Sequence, residues 1–273
     1  MNKPSLVIMA AGLGTRFGDT KQLVPVGPRN EIFLDYAIRE AISLGIERIV
    51  IVSRTVLEEK LKNHLSQYEK NCLHIEIVHQ DTCGPVRIKP WGTGHAVVTA
   101  LGKTEGSIIV MNADDYYGPT ALKQLLKGFN GDNIAILAFR LKHTLPENGK
   151  VSRGILSIEN EKLSKISEVH GIRSEGNQIK SDEDYLISES AYVSMNLWAI
   201  PEKSLKVIQK QWDSFIAENY SDEQAEFLLP LAIQEQLQNK QVEIDVIRTD
   251  ESWIGVTNPE DLDMARTALA EIN

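Results

Sequence analysis

The sequence has no basic block, no long apolar run and only two cysteines in 273 residues. Each absence removes a class of function. With a formal charge of -9 and Lys and Arg scattered along the chain, general binding to nucleic acid or to an anionic membrane is excluded, so phosphate recognition has to be local. No stretch approaches the roughly 20 apolar residues of a membrane span. The apolar run after residues 1–4 has the length of a strand, too short for a signal peptide. Cys72 and Cys83 cannot build a disulfide framework and their spacing fits no zinc pattern, which makes both structural thiols of a reducing compartment. The cytoplasm is the expected location. Repeats, low-complexity tracts and linkers are also missing, and the 42% apolar content suffices for a buried core, so one continuous domain is expected over residues 1–273.

What is present is alternation. Residues 5–10, 48–53, 73–79, 107–112 and 133–140 read as strands, with helical patterns between them. The helix over 32–44 has Phe33, Ala37, Ile38, Ala41 and Leu44 on one stripe and Gly45 placed to end it. Such a pattern specifies an α/β protein with a mostly parallel sheet covered by helices on both faces, and it puts ligands at the carboxyl ends of the strands. The alternation stops near residue 141. Strand-like pieces at 154–158 and 191–200 and helical patterns after Pro201 and Ser221 make 141–240 a lid or acceptor region. Residues 241–273 return to α/β style with a strand at 242–247, then Asn258 as cap and Pro259 at the first position of a closing helix.

Directly after the first strand comes Ala10-Ala11-Gly12-Leu13-Gly14-Thr15-Arg16-Phe17-Gly18-Asp19-Thr20-Lys21-Gln22. Small residues let backbone amides approach phosphate oxygens, and Arg16 and Lys21 can neutralise a triphosphate and its pyrophosphate leaving group. A dinucleotide fingerprint would need glycine at Phe17, and the Walker A spacing is absent. A glycine-rich turn with two solvated cations is the structural alternative. At the end of the fourth strand, Asn112-Ala113-Asp114-Asp115-Tyr116-Tyr117-Gly118 places two carboxylates together. An ionised pair there needs compensation, which a hard divalent cation bridging phosphate oxygens supplies; a pair of turn aspartates is the alternative.

Gly12-x-Gly14-Thr15-Arg16 followed by Lys21 resembles the signature of the sugar-nucleotide pyrophosphorylase and cytidylyltransferase superfamily, with Thr20 where that family has proline. The resemblance implies the nucleotide-diphospho-sugar transferase fold, a Rossmann-like three-layer sandwich with a mixed, mostly parallel central sheet. Residues 1–140 then form the NTP-binding half, with Ala10, Ala11, Gly12, Gly14 and Thr15 on the nucleotide and Arg16 and Lys21 as catalytic cations. Pro90-Trp91-Gly92-Thr93-Gly94 resembles the family's Pro-x-Gly-Thr segment, which puts Gly92 and Thr93 beside base and ribose and makes Gln80 a reader of the base edge. A tight turn into a helix is the alternative there, and His95 is assigned no chemistry. The resemblance makes Asp114 the metal ligand, with Asp115 sharing that role or binding water and acceptor. The second ligand is expected near Thr249-Asp250-Glu251, where Asp250 is the nearest candidate because Gly255 stands where an aspartate is common. For the acceptor, Arg153-Gly154 and the pair Glu189 and Asn196 resemble the sugar-binding residues. Glu168-Val169-His170 replaces the family's Glu-Lys-Pro, leaving Arg153 or Lys165 to meet phosphate.

The expected activity is condensation of an NTP with a phosphorylated small molecule of the sugar 1-phosphate kind, releasing pyrophosphate. Mg²⁺ or a similar hard cation is the expected cofactor, since Asp114 offers oxygen and no Cys or His cluster competes. NTP and acceptor are the partners, with neither nucleic acid nor membrane, and a homo-oligomer is compatible. A nucleotide-sugar-dependent glycosyltransferase and a non-catalytic nucleotide-binding regulator are the alternatives.

Overall fold

In the first strand, β1 (Ser5–Met9), alternate side chains serve opposite faces of a sheet. Leu6 and Ile8 join one core, Val7 and Met9 the other, and the first three of these are wholly buried. A computed structural model of the chain, describing residues 3–12, 21–71, 73–146, 149–176, 178–183, 187–256 and 261–272, shows how the sheet grows around this strand. β2 (Arg48–Ser53), β3 (His74–His79) and β4 (Ile108–Asn112) run parallel to it in the order β3-β2-β1-β4. The next strand in space comes from far along the chain. β10 (Tyr192–Ile200) lies antiparallel between β4 and β6 (Ile134–Arg140), and β11 (Ile244–Thr249) continues parallel to β6. β7 (Val151–Glu159) and β8 (Lys162–Glu175) form a long hairpin that meets β10 through β7 and β11 through β8, and β9 (Gln178–Lys180) extends its edge. The sheet is therefore mixed, and its antiparallel part is built by the region where the sequence loses its alternation.

Helices α1 (Phe33–Ser43), α2 (Glu58–Leu65) and α4 (Ala121–Gly128) cover one face. Helices α3 (Thr93–Ala100), α5 (Glu202–Asn219) and α6 (Leu229–Gln238) cover the other. This is the three-layer α/β arrangement expected. A small ladder of β5 (Asp115–Tyr116) and β12 (Ile254–Gly255), together with α7 (Asp261–Ile272), closes a third apolar cluster around Val26, Phe33 and Val256.

Local chemistry sets the element ends. α1 begins where the Asp35 carboxylate accepts the Ile32 amide at 2.8 Å, and it ends where Gly45 takes φ +67° and lets the Ile46 amide reach back to Ala41 O at 2.9 Å. The helix expected after Ser221 starts later, at Leu229. The intervening segment is held by other bonds: Asp222 accepts the Gln224 amide at 2.8 Å, and Phe227 exchanges backbone bonds with Trp91 and Gly94 at 2.7 and 2.8 Å. Those bonds satisfy its amides without helix.

Candidate active site

At the carboxyl end of β1, Ala10 and Ala11 are buried and Gln22 donates its side-chain amide to Gly12 O at 2.9 Å. That bond fixes Lys21 at the start of a short turn over Lys21–Leu23. Gly14, Thr15 and Arg16 lie outside the described residues. Lys21 Nζ reaches across to Asp114 Oδ2 at 2.6 Å, joining the end of the nucleotide-loop segment to the end of β4.

The two neighbouring aspartates differ in setting. Asp114 is partly open, whereas Asp115 is 8% exposed and paired in register with Gly255. Asn112 Nδ2 donates to Asp115 Oδ2 at 2.8 Å, and the Tyr117 hydroxyl lies 3.2 Å from the same oxygen. Burial and the adjacent Asp114 carboxylate push the Asp115 pKa up to about 7, against the lowering effect of its hydrogen bonds. Tyr117 also accepts the Asn112 amide at 3.0 Å and donates to Met195 O at 2.9 Å, tying β4 to β10.

Asp114 opens onto a cleft of about 320 Å³ whose far wall is the β7–β8–β10 surface. Its floor follows from register. Gly154 of β7 stands opposite Glu168 of β8 and Ser194 of β10, and a Cβ at 154 would come within 3.0 Å of the Ile166 side chain. The missing side chain leaves room between two polar neighbours. Asn196 lines the same cleft from the point where β10 bulges, with φ +61°. Arg153 also lines it, held by Thr144 O at 2.7 Å and Ser152 O at 2.9 Å and lying 5.0 Å from the Trp253 ring centroid. Burial eases the Arg153 pKa down, while Asp115 and Glu168 oppose the shift.

The structure thus brings Lys21, Asp114, Asp115, Arg153, Gly154 and Asn196 together. Other expected residues lie apart from them. Glu189 is exposed in a turn and does not line the cleft. Asp250 is 75% exposed and ion-paired with Arg140, also away from the cleft lining. Gln80 is buried, donating to Gly92 O at 2.8 Å and to His95 Nδ1 at 3.2 Å. Gly92, at φ +100°, and Gly94 accommodate a protein neighbour: a Cβ at either would sit 2.7 Å from Phe227, at its carbonyl oxygen and its ring respectively. Thr93 Oγ1 accepts the Leu229 amide at 3.0 Å. In this structure Gly92, Thr93 and Gly94 dock residues 227–229. His95 is fully buried 4.3 Å from the Trp212 ring centroid, and burial lowers its pKa to about 4, so the imidazole is a neutral packing group at pH 7.

Sequence reasoning missed Glu168, Ser194 and Tyr117. Glu168 stood out only as the neighbour of a missing lysine. Its place opposite Gly154 depends on hairpin register, which is set at the Asn160-Glu161 turn, where both residues take positive φ.

A cation on an aspartate at the fourth strand's end and a polar cleft beyond it are compatible with a nucleotidyltransferase, the class to which the relatives belong. The chain belongs to the MobA-like NTP transferase domain family, whose model matches residues 6–175. It is 31% identical over 177 residues to the bifunctional protein GlmU of Thermodesulfovibrio yellowstonii, covering 62% of this chain and 34% of that one. It is 28% identical over 159 residues to UTP–glucose-1-phosphate uridylyltransferase 1 of Staphylococcus saprophyticus, covering 48% and 52%. The chain thus spans one third to one half of these curated relatives. Among solved structures, the inositol-1-phosphate CTP transferase from T. maritima shares the fold, with a TM-score of 0.65, 14% identity and coverage of 98% of this chain and 97% of that one. Among the described residues no helix is long and apolar enough to cross a membrane.

Proposed function

We propose that this protein transfers a nucleotidyl group from an NTP to the phosphate of a sugar 1-phosphate or closely similar acceptor. The observation that carries the reading is the Lys21–Asp114 pair at the mouth of a cleft floored by Gly154 between Glu168 and Ser194. The names of the relatives point the same way, each relative with a single stated reaction joining a nucleotide to a small phosphorylated molecule.

An acceptor phosphate oxygen attacks the α-phosphorus of the NTP; the new P–O bond forms as the bond to the β-phosphate oxygen breaks, and pyrophosphate leaves with the electron pair. The attacking oxygen is already anionic, so no general base is needed. Catalysis is positioning and charge stabilisation. Lys21 and Arg16 neutralise the triphosphate and the leaving group. Arg153 is the cation available to the acceptor end, and Glu168, Ser194 and Asn196 supply hydrogen-bonding groups suited to hydroxyls. The chemistry of the donor set fits a hard divalent ion: Asp114 presents oxygen to the cleft, and no group of three or more His, Cys, Asp or Glu among the described residues offers an all-protein cage. Asp114 would hold Mg²⁺, which would supply charge compensation on the phosphates; Asp115 sits behind it and is proposed to support Asp114.

The test is pyrophosphate release from each ribonucleoside triphosphate with a panel of phosphorylated sugars and polyols. Release that depends on both a particular NTP and a particular acceptor is the expected result. Turnover of a nucleotide sugar with no pyrophosphate formed would assign the cleft to a glycosyltransferase instead.

A further inference from the structure

Lys21 sits on the carboxylate that the proposed reaction reserves for a metal ion. Its Nζ is 2.6 Å from Asp114 Oδ2, with the two side chains 18% and 30% exposed. The base of Lys21 is anchored, because the next residue, Gln22, is buried and bonded to Gly12 O. Its ammonium is carried on a four-carbon stem that pivots readily between partners. The adjacent carboxyl group is served differently: it accepts from Asn112 Nδ2, with the Tyr117 hydroxyl 3.2 Å away and itself held by Asn112 of β4 and Met195 of β10. Among the described residues, the direct ion pair at the two aspartates is that of Asp114 with the Lys21 ammonium.

An ammonium and a divalent ion on one carboxylate repel each other unless anionic oxygens lie between them. Triphosphate oxygens provide that anion. We propose that Lys21 is the resident cation of Asp114 in the nucleotide-free protein, exchanging Asp114 for phosphate oxygens when an NTP arrives with its divalent ion. This rests on the reading of Asp114 as the metal-binding carboxylate. Metal therefore enters with the nucleotide and binds weakly alone, and Asp114 stays compensated through the whole cycle. Lys21 gains a positioning role in addition to its proposed contact with phosphate.

Mn²⁺ binding followed by electron paramagnetic resonance tests this without turnover. In the nucleotide-free full chain, Lys21→Met should bind Mn²⁺ about tenfold more tightly than wild type, a shift of about 1.4 kcal/mol. Adding Asp114→Asn should abolish the gain. With a non-hydrolysable NTP analogue the order should reverse, because the variant has lost its phosphate contact. Equal affinity of wild type and Lys21→Met without nucleotide, while Asp114→Asn weakens Mn²⁺ binding in the nucleotide complex, overturns the exchange and leaves the metal role of Asp114 standing. Indifference to Asp114→Asn in both states removes that role and the proposal with it. Lys21→Gln is measured in parallel; if circular dichroism shows both Lys21 variants unfolded, the pair is a structural requirement and the exchange is refuted.

Discussion

Tyr117→Phe removes one oxygen and keeps the ring. That oxygen bridges the two halves of the site, accepting the Asn112 amide at 3.0 Å and donating to Met195 O at 2.9 Å. Met195 is 7% exposed and Tyr117 3%, so water has little access to either group left behind. A buried polar group without a partner costs about 1–3 kcal/mol, and the half-buried Asn112 amide adds a smaller amount, for a total loss of about 2–4 kcal/mol. Ring packing against Phe139, at 6.0 Å between centroids, is unchanged. Urea unfolding should show a lower midpoint with the same slope, since the surface exposed on unfolding is nearly the same. The kinetic consequence is sharper. Met195 precedes Asn196 at the β10 bulge, so loosening it should raise the acceptor KM several-fold more than the NTP KM. A stability loss under about 0.5 kcal/mol, or equal effects on both substrates, would refute the bridge.

Asp114→Asn should lower Mg²⁺-dependent pyrophosphate release by about 10²-fold or more, with Asp115→Asn doing less because its oxygen still accepts from Asn112; the reverse ranking would reassign the metal carboxylate. Gly154→Val places a branched side chain 3.0 Å from Ile166 on the cleft floor, so steady-state kinetics should show the acceptor KM rising about tenfold with little change for NTP. A rise confined to NTP would move the acceptor elsewhere. Asp35→Ala should cost about 2–4 kcal/mol in chemical denaturation, because the buried carboxylate accepts Tyr68 Oη at 2.6 Å, His64 Nε2 at 2.8 Å and the Ile32 amide. Burial raises the Asp35 pKa, but those hydrogen bonds outweigh it and hold the group below its ordinary 3.8, so its contribution is complete above pH 3.8 and fades as pH falls through the folded value. Asp35→Ala should flatten that acid limb; an unchanged acid profile would show the cluster to be unimportant.

The parallel part of the fold was legible because it obeys a period. Strands 48–53 and 133–140 match β2 and β6 to within a residue, since both faces are buried and apolar runs are the only solution. The charged end of the site was legible for a related reason: Asp114 is an expensive residue at the end of an apolar strand. The far wall of the cleft was legible only in part: Arg153, Gly154 and Asn196 were named from the family resemblance, whereas Glu168 and Ser194 meet Gly154 through strand register, which no local composition records. Gln80, Gly92 and Thr93, a motif read toward a ligand, also have protein partners: Gln80 bonds to Gly92 O, Gly92 lies against Phe227 and Thr93 accepts the Leu229 amide. Asp250 was chosen by nearness in sequence, and its exposed pairing with Arg140 follows from the last residues of β11 lying beside those of β6.

The insertion of β10 between β4 and β6 has a consequence for how the chain is made. The strands on either side of it are finished by residue 140, yet neither can saturate its facing edge until residues 192–200 leave the ribosome. Until then two apolar strands, Ile108–Asn112 and Ile134–Arg140, carry open hydrogen-bonding edges, the circumstance in which nascent chains pair with one another. The strand that fills this gap is also the one that brings Ser194 and Asn196. Covering these two facing edges and bringing Ser194 and Asn196 to the cleft are thus a single folding event, and a chain cut short near residue 140 would lack both.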